Sequence, residues 1–265
     1  MRNKSELLRI ATKVLFSIMF VSLFGFTAEM DSKSTRARMN QAGETSDFSS
    51  ADVPKYFPLE PGNRWWYSGK AKQSIGPGKT IEKNISIEMR VLEVIKNREA
   101  QLFILEGHPS QAVWYLKPEH KNLKKVVIRP ERYAYLSVGG KLFEIRGDSV
   151  DTVISDLRKN SNLPNLDLDD IAFEFPLFDG QKFGGTKGPD GEVEGYDWQV
   201  DRVLSKAQKS LRKMKKYLAF QIIQRALSSY TEIQFEPYSG ITKYKYIHHG
   251  SVCEVYLDLR EHHLK

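Results

Sequence analysis

The chain has 265 residues and one cysteine, Cys253. That excludes an internal disulfide, a C-x-x-C redox pair and a cysteine-rich zinc site. No G-x-S-x-G elbow is present. The stretch 184–195, GGTKGPDGEVEG, is not followed by Gly-Lys-Ser/Thr. It reads as a mobile loop or hairpin tip and not as a phosphate loop. Asp167, Asp169 and Asp170 lack the glycine and distal glutamate of an EF-hand, so they read as a solvated loop. His248-His249 and His262-His263 are adjacent pairs. Neighbours on a strand point to opposite faces, so one pair cannot chelate through both rings; His248-His249-Gly250 reads as a hairpin tip, and His262-His263 as part of a polar C-terminal tail. Carboxylates at ligand spacing are missing beside them. The sequence therefore nominates no catalytic, cofactor-binding or metal residue.

Long apolar runs are also scarce. The one that exists is residues 14–28, VLFSIMFVSLFGFTA, behind a segment carrying Arg2, Lys4, Arg9 and Lys13. Fifteen apolar positions fall short of the roughly 20 that a spanning helix needs. The pattern is the n-region and h-region of a secretory signal, so residues 1–28 are expected to be a signal peptide. The alternative is an uncleaved leader anchoring the chain in the inner membrane. No cysteine follows the h-region, which excludes a lipid-modified N-terminus. Residues 29–52 are Ser, Thr, Asp and Arg with one aromatic. Such a segment buries too little apolar area to offset its ordering entropy, and reads as a disordered tether.

Charge is mildly positive. The whole chain holds 40 Lys+Arg against 33 Asp+Glu; four of those bases and one of the acids lie in 1–28, leaving 36 against 32. The steepest local feature is 206–216, KAQKSLRKMKK, with Lys206, Lys209, Arg212, Lys213, Lys215 and Lys216 and no acid. It reads as a basic hairpin tip or a short helix carrying Leu211 and Met214. A basic surface patch there would meet anionic lipid headgroups or polysaccharide. A solvated loop that protects a β edge is the plainer alternative. Nucleic acid is disfavoured because export removes it from the compartment.

What is plentiful is aromatic and alternating sequence. Fourteen Phe, twelve Tyr and four Trp suit a sheet-rich protein. In 80–96, Ile81, Ile85, Ile87, Met89 and Val91 alternate with Glu82, Asn84, Ser86, Glu88 and Arg90. That is the period of a half-buried strand. The phase slips after Val91, predicting a bulge that sends Leu92 and Val94 to the other face. A strand of this length implies a strongly curved or rolled sheet. Further strands are expected at 65–72, 101–106, 112–117, 124–129, 132–137, 141–146, 196–204, 217–227, 230–236, 243–248 and 252–260. Cys253, Val255, Leu257 and Leu259 share one face of the last of these. Residues 149–158, SVDTVISDLR, have helical spacing with Asp148 or Ser149 as cap. At Trp65, Trp66 and Tyr67 consecutive rings face both sides of a strand, so at least one lies off the main core.

FPLEPGNRW (57–65) and FPLFDGQKF (175–183) both fit F-P-L-x-x-G-x-x-aromatic. A looser match relates 113–128 to 232–247. The reading is an all-β antiparallel, curved or partly rolled barrel-like domain at 53–265. It has two related halves, about 53–147 and 172–265, and a linker at 148–171 with one short helix.

YFPLEPGNRWWYSG (56–69) and GITKYKYIHHGSVCEVYLDLREHHL (240–264) resemble a pattern in uncharacterised bacterial secreted and lipoprotein-type envelope proteins. These open with an FPLxxGNxWxY strand and close with a GITxYxY strand. The resemblance implies an envelope β domain in the periplasm or outside the cell, and no activity. The expected role is non-enzymatic, binding or structural: a partner surface for an envelope protein, a groove for a lipid or other apolar ligand, or a purely structural envelope component that works through its faces. The alternative is a hydrolase of envelope polymers whose carboxylates the fold brings together. No cofactor is expected. Membrane contact would come only through an uncleaved leader or the basic patch.

Overall fold

The computed structural model describes residues 52–114, 124–159, 166–187, 193–194, 197–210, 213–250 and 253–265. The leader, nearly all of the tether and Arg212 lie outside them. A short helix α1 (Val53–Tyr56) leads into β1 (Arg64–Gly76), β2 (Lys79–Lys96) and β3 (Ala100–Glu106). After β4 (Lys125–Val127) come β5 (Arg132–Val138), β6 (Lys141–Arg146), helix α2 (Ser149–Arg158) and β7 (Ile171–Glu174). The second half holds β8 (Lys182–Phe183), β9 (Thr186–Lys187), β10 (Val193–Glu194), β11 (Trp198–Ser210) and β12 (Lys213–Arg225). It ends with β13 (Ser229–Glu236), β14 (Gly240–His248) and β15 (Cys253–His263).

Thirteen strands make one sheet, in the order β7-β6-β5-β3-β2-β1-β15-β14-β13-β12-β11-β8, with β4 added parallel to β2. Apart from β4 the pairing is antiparallel. The order is two consecutive runs of six, fused where β1 pairs β15. The sheet rolls into a nearly closed barrel around one apolar core. By symmetry β7 should pair β8, but no ladder joins them among the described residues. Strand directions define two ends. The near end holds the start of β1, the β5–β6 turn and the β13–β14 turn. The far end holds the β1–β2 turn and the end of β6.

The halves match in detail. In each, the F-P-L-x-x-G segment buries its Phe and Leu (Phe57 and Leu59; Phe175 and Leu177). Gly62 and Gly180 then take positive φ, 92° and 73°. Gly62 N–H donates to the Val91 carbonyl and Val91 N–H to the Asn63 carbonyl, at 2.9 and 3.0 Å. Gly180, Val200 and Gln181 repeat this at 3.0 and 2.8 Å. Register also shifts at the same place, between Val91 and Glu93 against β3, and between Val200 and Arg202 against β12. The bulge predicted after Val91 is present and leaves Leu92 39% exposed. Its effect on Val94 is the reverse of that expected. The extra residue restores phase, so Val94 pairs with Phe103 on the Val91 side.

Among the described residues, the looser match of 113–128 to 232–247 does not fall on equivalent elements. β13 and β14 occupy the places that β5 and β6 hold in the first half, because β3 pairs β5 directly. Between β3 and β5 the described residues leave the antiparallel order instead, and only β4 rejoins the sheet, parallel to β2. Pro109–Trp114 form a 3-10 turn where a strand over 112–117 is expected, and 115–123 lie outside the described residues. Gly107 makes the departure possible. Its φ is +73°, and a Cβ there would stand 1.9 Å from the Glu88 carbonyl oxygen.

Helix α2 forms where expected, although Asp148 at its N-cap makes no side-chain capping bond. Val150, Val153, Ile154 and Leu157 are buried, and the helix packs on β2, β5 and β6. It covers the outer row Ile104, Ala134 and Ile145, which lie side by side in register. Both faces of β3, β5 and β6 are thus largely buried. Trp65 and Tyr67 point into the core, and Trp66 is the ring left outside.

Gly107→Ala should lower stability by about 3 kcal/mol or more, because it combines a strained φ with a backbone clash. Gly139→Ala, at φ +56° with open space around the added carbon, should cost only about 1 kcal/mol. Urea unfolding midpoints of the two variants provide the check.

Candidate functional site

The barrel interior divides into an apolar near end and a polar far end. At the near end Phe57 meets Trp65, Tyr135, Phe173 and Phe235 at ring-centroid separations of 5.4 to 6.2 Å. Phe175 stacks on Phe173 at 5.7 Å, and Tyr56 meets Phe175 edge-on at 5.1 Å. These rings come from α1, the two F-P-L segments, β1, β5, β7 and β13. The protein's own side chains fill this end.

The far end is polar. His108, the first residue beyond Gly107, is buried against Tyr133, Tyr135 and Tyr244, whose rings lie 5.3 to 6.3 Å away. Ser110 N–H donates to His108 Nδ1 at 3.1 Å, and Ser110 Oγ lies 2.6 Å from the same nitrogen. A backbone N–H can only donate, so Nδ1 is the acceptor and the proton of neutral His108 sits on Nε2. Nε2–H then donates to the Tyr135 hydroxyl, 3.1 Å away. This pair of bonds ties the 107–131 excursion to the barrel wall. Its 3-10 turn packs on β1, β2, β14 and β15, and Cys253 Sγ reaches the Val113 carbonyl at 3.8 Å.

Glu144 and Arg146 complete this end. They are two apart on β6, paired with Tyr135 and Tyr133, so all four face inward. Arg146 donates twice to the Glu144 carboxylate, at 2.8 and 2.9 Å. The Arg146 side chain is 60% exposed and that of Glu144 only 17%, which places the guanidinium at the mouth. Burial pushes the Glu144 pKa up, but His108 and Arg146 outweigh it and hold the carboxyl below its ordinary range. Burial pushes His108 down to about 4, with Glu144 opposing and Arg146 assisting. Burial likewise raises the Tyr133 and Tyr135 hydroxyls. The set is a neutral imidazole between phenols beside a closed ion pair. As it stands, that arrangement fixes a segment and exposes no free nucleophile.

The sequence alone did not point to this cluster. In Leu142–Arg146 the alternation sets Glu144 and Arg146 opposite Phe143 and Ile145, which reads as a solvent face. α2 covers the Phe143 and Ile145 side, so the polar residues turn inward instead. His108 lay next to an expected strand, and only the paired Gly107 and Pro109 marked it as a departure point.

The basic residues nominated from sequence fall on the β11–β12 hairpin. Lys206 and Lys209 lie on β11, and Lys213, Lys215 and Lys216 on β12; Lys206 pairs with Tyr217 and Ser210 with Lys213. Of the two forms expected there, the hairpin is the one found. His248 ends β14, and His249 N–H donates to the Ser228 carbonyl at 2.7 Å, as befits a hairpin tip. His262 and His263 are not in a tail as expected: they close β15, paired with Trp65 and Arg64 in the seam ladder.

No protein-family model matches the chain, and no curated protein matches it in sequence. Two solved structures resemble it over most of its length. One is a candidate exported protein with a YmcC-like fold from Bacteroides fragilis, 11% identical. It covers 78% of this chain and 98% of its own, at a TM-score of 0.35. The other is a candidate lipoprotein from Parabacteroides distasonis, 14% identical, covering 79% and 99% at a TM-score of 0.33. Likeness at these TM-scores carries no functional argument.

Neutral, buried His108 makes stability depend on pH in a defined direction. Its folded pKa, about 4, lies below the ordinary 6.5. The unfolded chain therefore takes up a proton first as pH falls. Stability is full above 6.5 and is lost progressively between 6.5 and 4, by about 2 kcal/mol at pH 5. His108→Gln should be less stable at pH 7, yet its urea midpoint should fall less than the parent's between pH 7 and pH 5.

Proposed function

We propose that this is an exported cell-envelope protein whose β domain acts without catalysis, through its surface. Export rests on the charged n-region and apolar run of residues 1–28. The FPLxxGNxWxY and GITxYxY resemblance supports an envelope setting. The observation that carries the surface reading is the near-end interior, where Phe57 touches four other rings. An apolar ligand would have to displace close-packed aromatic side chains there, which favours a partner surface over an internal groove.

A second reading, hydrolysis of envelope polymers, has one observation in its favour. Glu144 is held below the usual carboxylate range, while burial, Asp167, Asp169 and Glu144 push Asp170 upward. Carboxylates driven apart in this way suit base and acid roles. Turnover of an envelope polysaccharide that is abolished by both Glu144→Gln and Asp170→Asn would establish it.

The test of the leading reading is native mass spectrometry, with lipid extraction, on protein from the envelope fraction. The expected result is a chain lacking its leader and carrying no stoichiometric apolar molecule. A co-purifying lipid would move the function to the interior, and a cytoplasmic full-length chain would overturn export. A chain beginning at Ala51 should unfold at the same urea concentration as the longer mature chain. Among the described residues, the first contact is the Asp52 carbonyl, which accepts from Lys55 and Tyr56 N–H at 3.0 and 3.2 Å.

A further inference from the structure

Two hairpin tips at the far end carry aliphatic side chains that the core does not use. Gln73, Cys253, His248 and Ser229 are partners in succession across β1, β15, β14 and β13, and Ser229 closes on Ala226 by backbone bonds in both directions. These five residues form one rung. Beyond it project the β1–β2 tip, residues 74–79, and the two-residue β12–β13 tip, Leu227-Ser228. At ~4.8 Å per strand the two tips stand about 14 Å apart along the wall. His249 N–H, from the turn between them, donates to the Ser228 carbonyl at 2.7 Å. Leu227 is 95% exposed and Ile75 47%. Ile75 sits at a register shift between Ser74 and Gly76, and a bulge of this kind re-aims a side chain. A Cβ at Gly76 or Gly78 would meet nothing within 4 Å, so this tip stands clear of the barrel body.

Turn chemistry does not account for these residues. Two-residue loops favour Gly, Asn, Asp and Ser, and Leu227 supplies neither that chemistry nor buried area. Single exposed apolar residues are ordinary, but here two share one rim and the residues behind them are layered. Segments 70–84, 223–232 and 245–256 run from the tips back to the rung Lys70–Tyr256–Lys245–Glu232. They hold six Lys/Arg against three Glu, and no acid lies beyond the Gln73 rung. Each glutamate meets a lysine: Glu82 and Lys70 at 2.7 Å, Glu254 and Lys72 at 3.4 Å, Glu232 and Lys245 at 3.6 Å. The bases outnumber the acids by Lys79, Lys83 and Arg225. Tyr230 and Tyr256 flank Lys245 on the outer wall, with its Nζ 5.3 and 5.9 Å from their ring centroids.

We infer that this far-end rim docks on an anionic phospholipid surface, with Ile75 and Leu227 entering first. Read inward from the tips, the order is aliphatic apex, then tyrosines and cations one to three residues back, within about 10 Å at ~3.3 Å per residue. That is the order of a membrane interface, where apolar groups go deepest and amphipathic rings and long basic side chains sit at the headgroups. The excess of cations lies within a Debye length, about 8 Å at physiological salt, of a surface that the tips have reached. A soluble polyanion would meet the cations and leave both tips in water. Docking rests on the surface reading proposed above and names its partner. It does not use the leader, because α1 is held at the opposite end, where Tyr238 N–H donates to the Tyr56 carbonyl at 2.9 Å.

The test is co-sedimentation of the chain beginning at Ala51 with phosphatidylcholine vesicles containing about 30% phosphatidylglycerol, a composition chosen to give a strongly anionic surface. The parent should sediment with them. A variant carrying Ile75→Ser and Leu227→Ser should partition at least tenfold less, since burying one such side chain is itself worth about a factor of ten. Its urea midpoint should match the parent's, because both side chains are exposed. Leu227→Trp should keep the binding, and on adding vesicles its emission should move to the blue by more than the parent's. A parent that stays in the supernatant would overturn the assignment. So would undiminished binding by the folded double-serine variant, or a bound Leu227→Trp chain whose emission does not move. Failure here leaves the surface reading standing, because that reading falls only if a stoichiometric apolar molecule co-purifies with the protein.

Discussion

The ladder between β1 and β15 is the constraint on which the rest of the structure depends. It joins the first long strand of the fold to the last, pairing Arg64 with His263 and Gln73 with Cys253. Without it each run of six strands would be an open curved sheet with an apolar face in water. Side chains brace the seam. Trp65 Nε1–H donates to the Ser239 carbonyl at 2.7 Å and the Tyr67 hydroxyl to the Ile241 carbonyl at 3.0 Å. Lys265 N–H reaches Asn63 Oδ1 at 2.9 Å. These contacts span almost the whole domain in sequence, so loop-closure entropy opposes them until the intervening sheet has formed. Closure of this seam is therefore expected late in folding.

The other seam is managed differently. β7 and β8 are short and are joined directly by the second F-P-L-x-x-G segment. Its Phe175 N–H donates to the Gly140 carbonyl and its Gly180 N–H to the Val200 carbonyl, each at 3.0 Å. The connecting segment thus uses donors at the gap that an extended ladder would otherwise use. Short edges also give another chain little to pair with.

How much of this was legible in the sequence follows from how local each signal is. Alternation in 80–96 revealed the long strand and its bulge, because side-chain phase is a property of the strand itself. The repeated F-P-L-x-x-G element revealed the two halves, because each copy makes the same turn with the same hydrogen bonds. Phase did not say which face was inside. From Phe143 to Arg146 apolar and polar residues alternate, yet the Glu144 side is no outer solvent face: it looks into the barrel, with Arg146 at the mouth. Nor could phase find the 107–131 excursion. It begins at a glycine whose necessity lies in the close approach of the Glu88 carbonyl, a residue on another strand. The far-end cluster was hidden for the same reason: His108, Tyr135 and Arg146 meet only through that excursion and the pairing of β5 with β6.

Duplication separates what the fold requires from what it merely permits. Features present in both halves, the glycine turn, the bulge and the six-strand order, close the core and are accounted for by packing alone. Features present in one half need another reason. The first half has the excursion tied down by His108 at the far end and α2 over its outer face. Both bury apolar surface that a six-stranded sheet would expose, since Ala112, Val153 and Ile154 are buried in the same core. They therefore have a structural explanation.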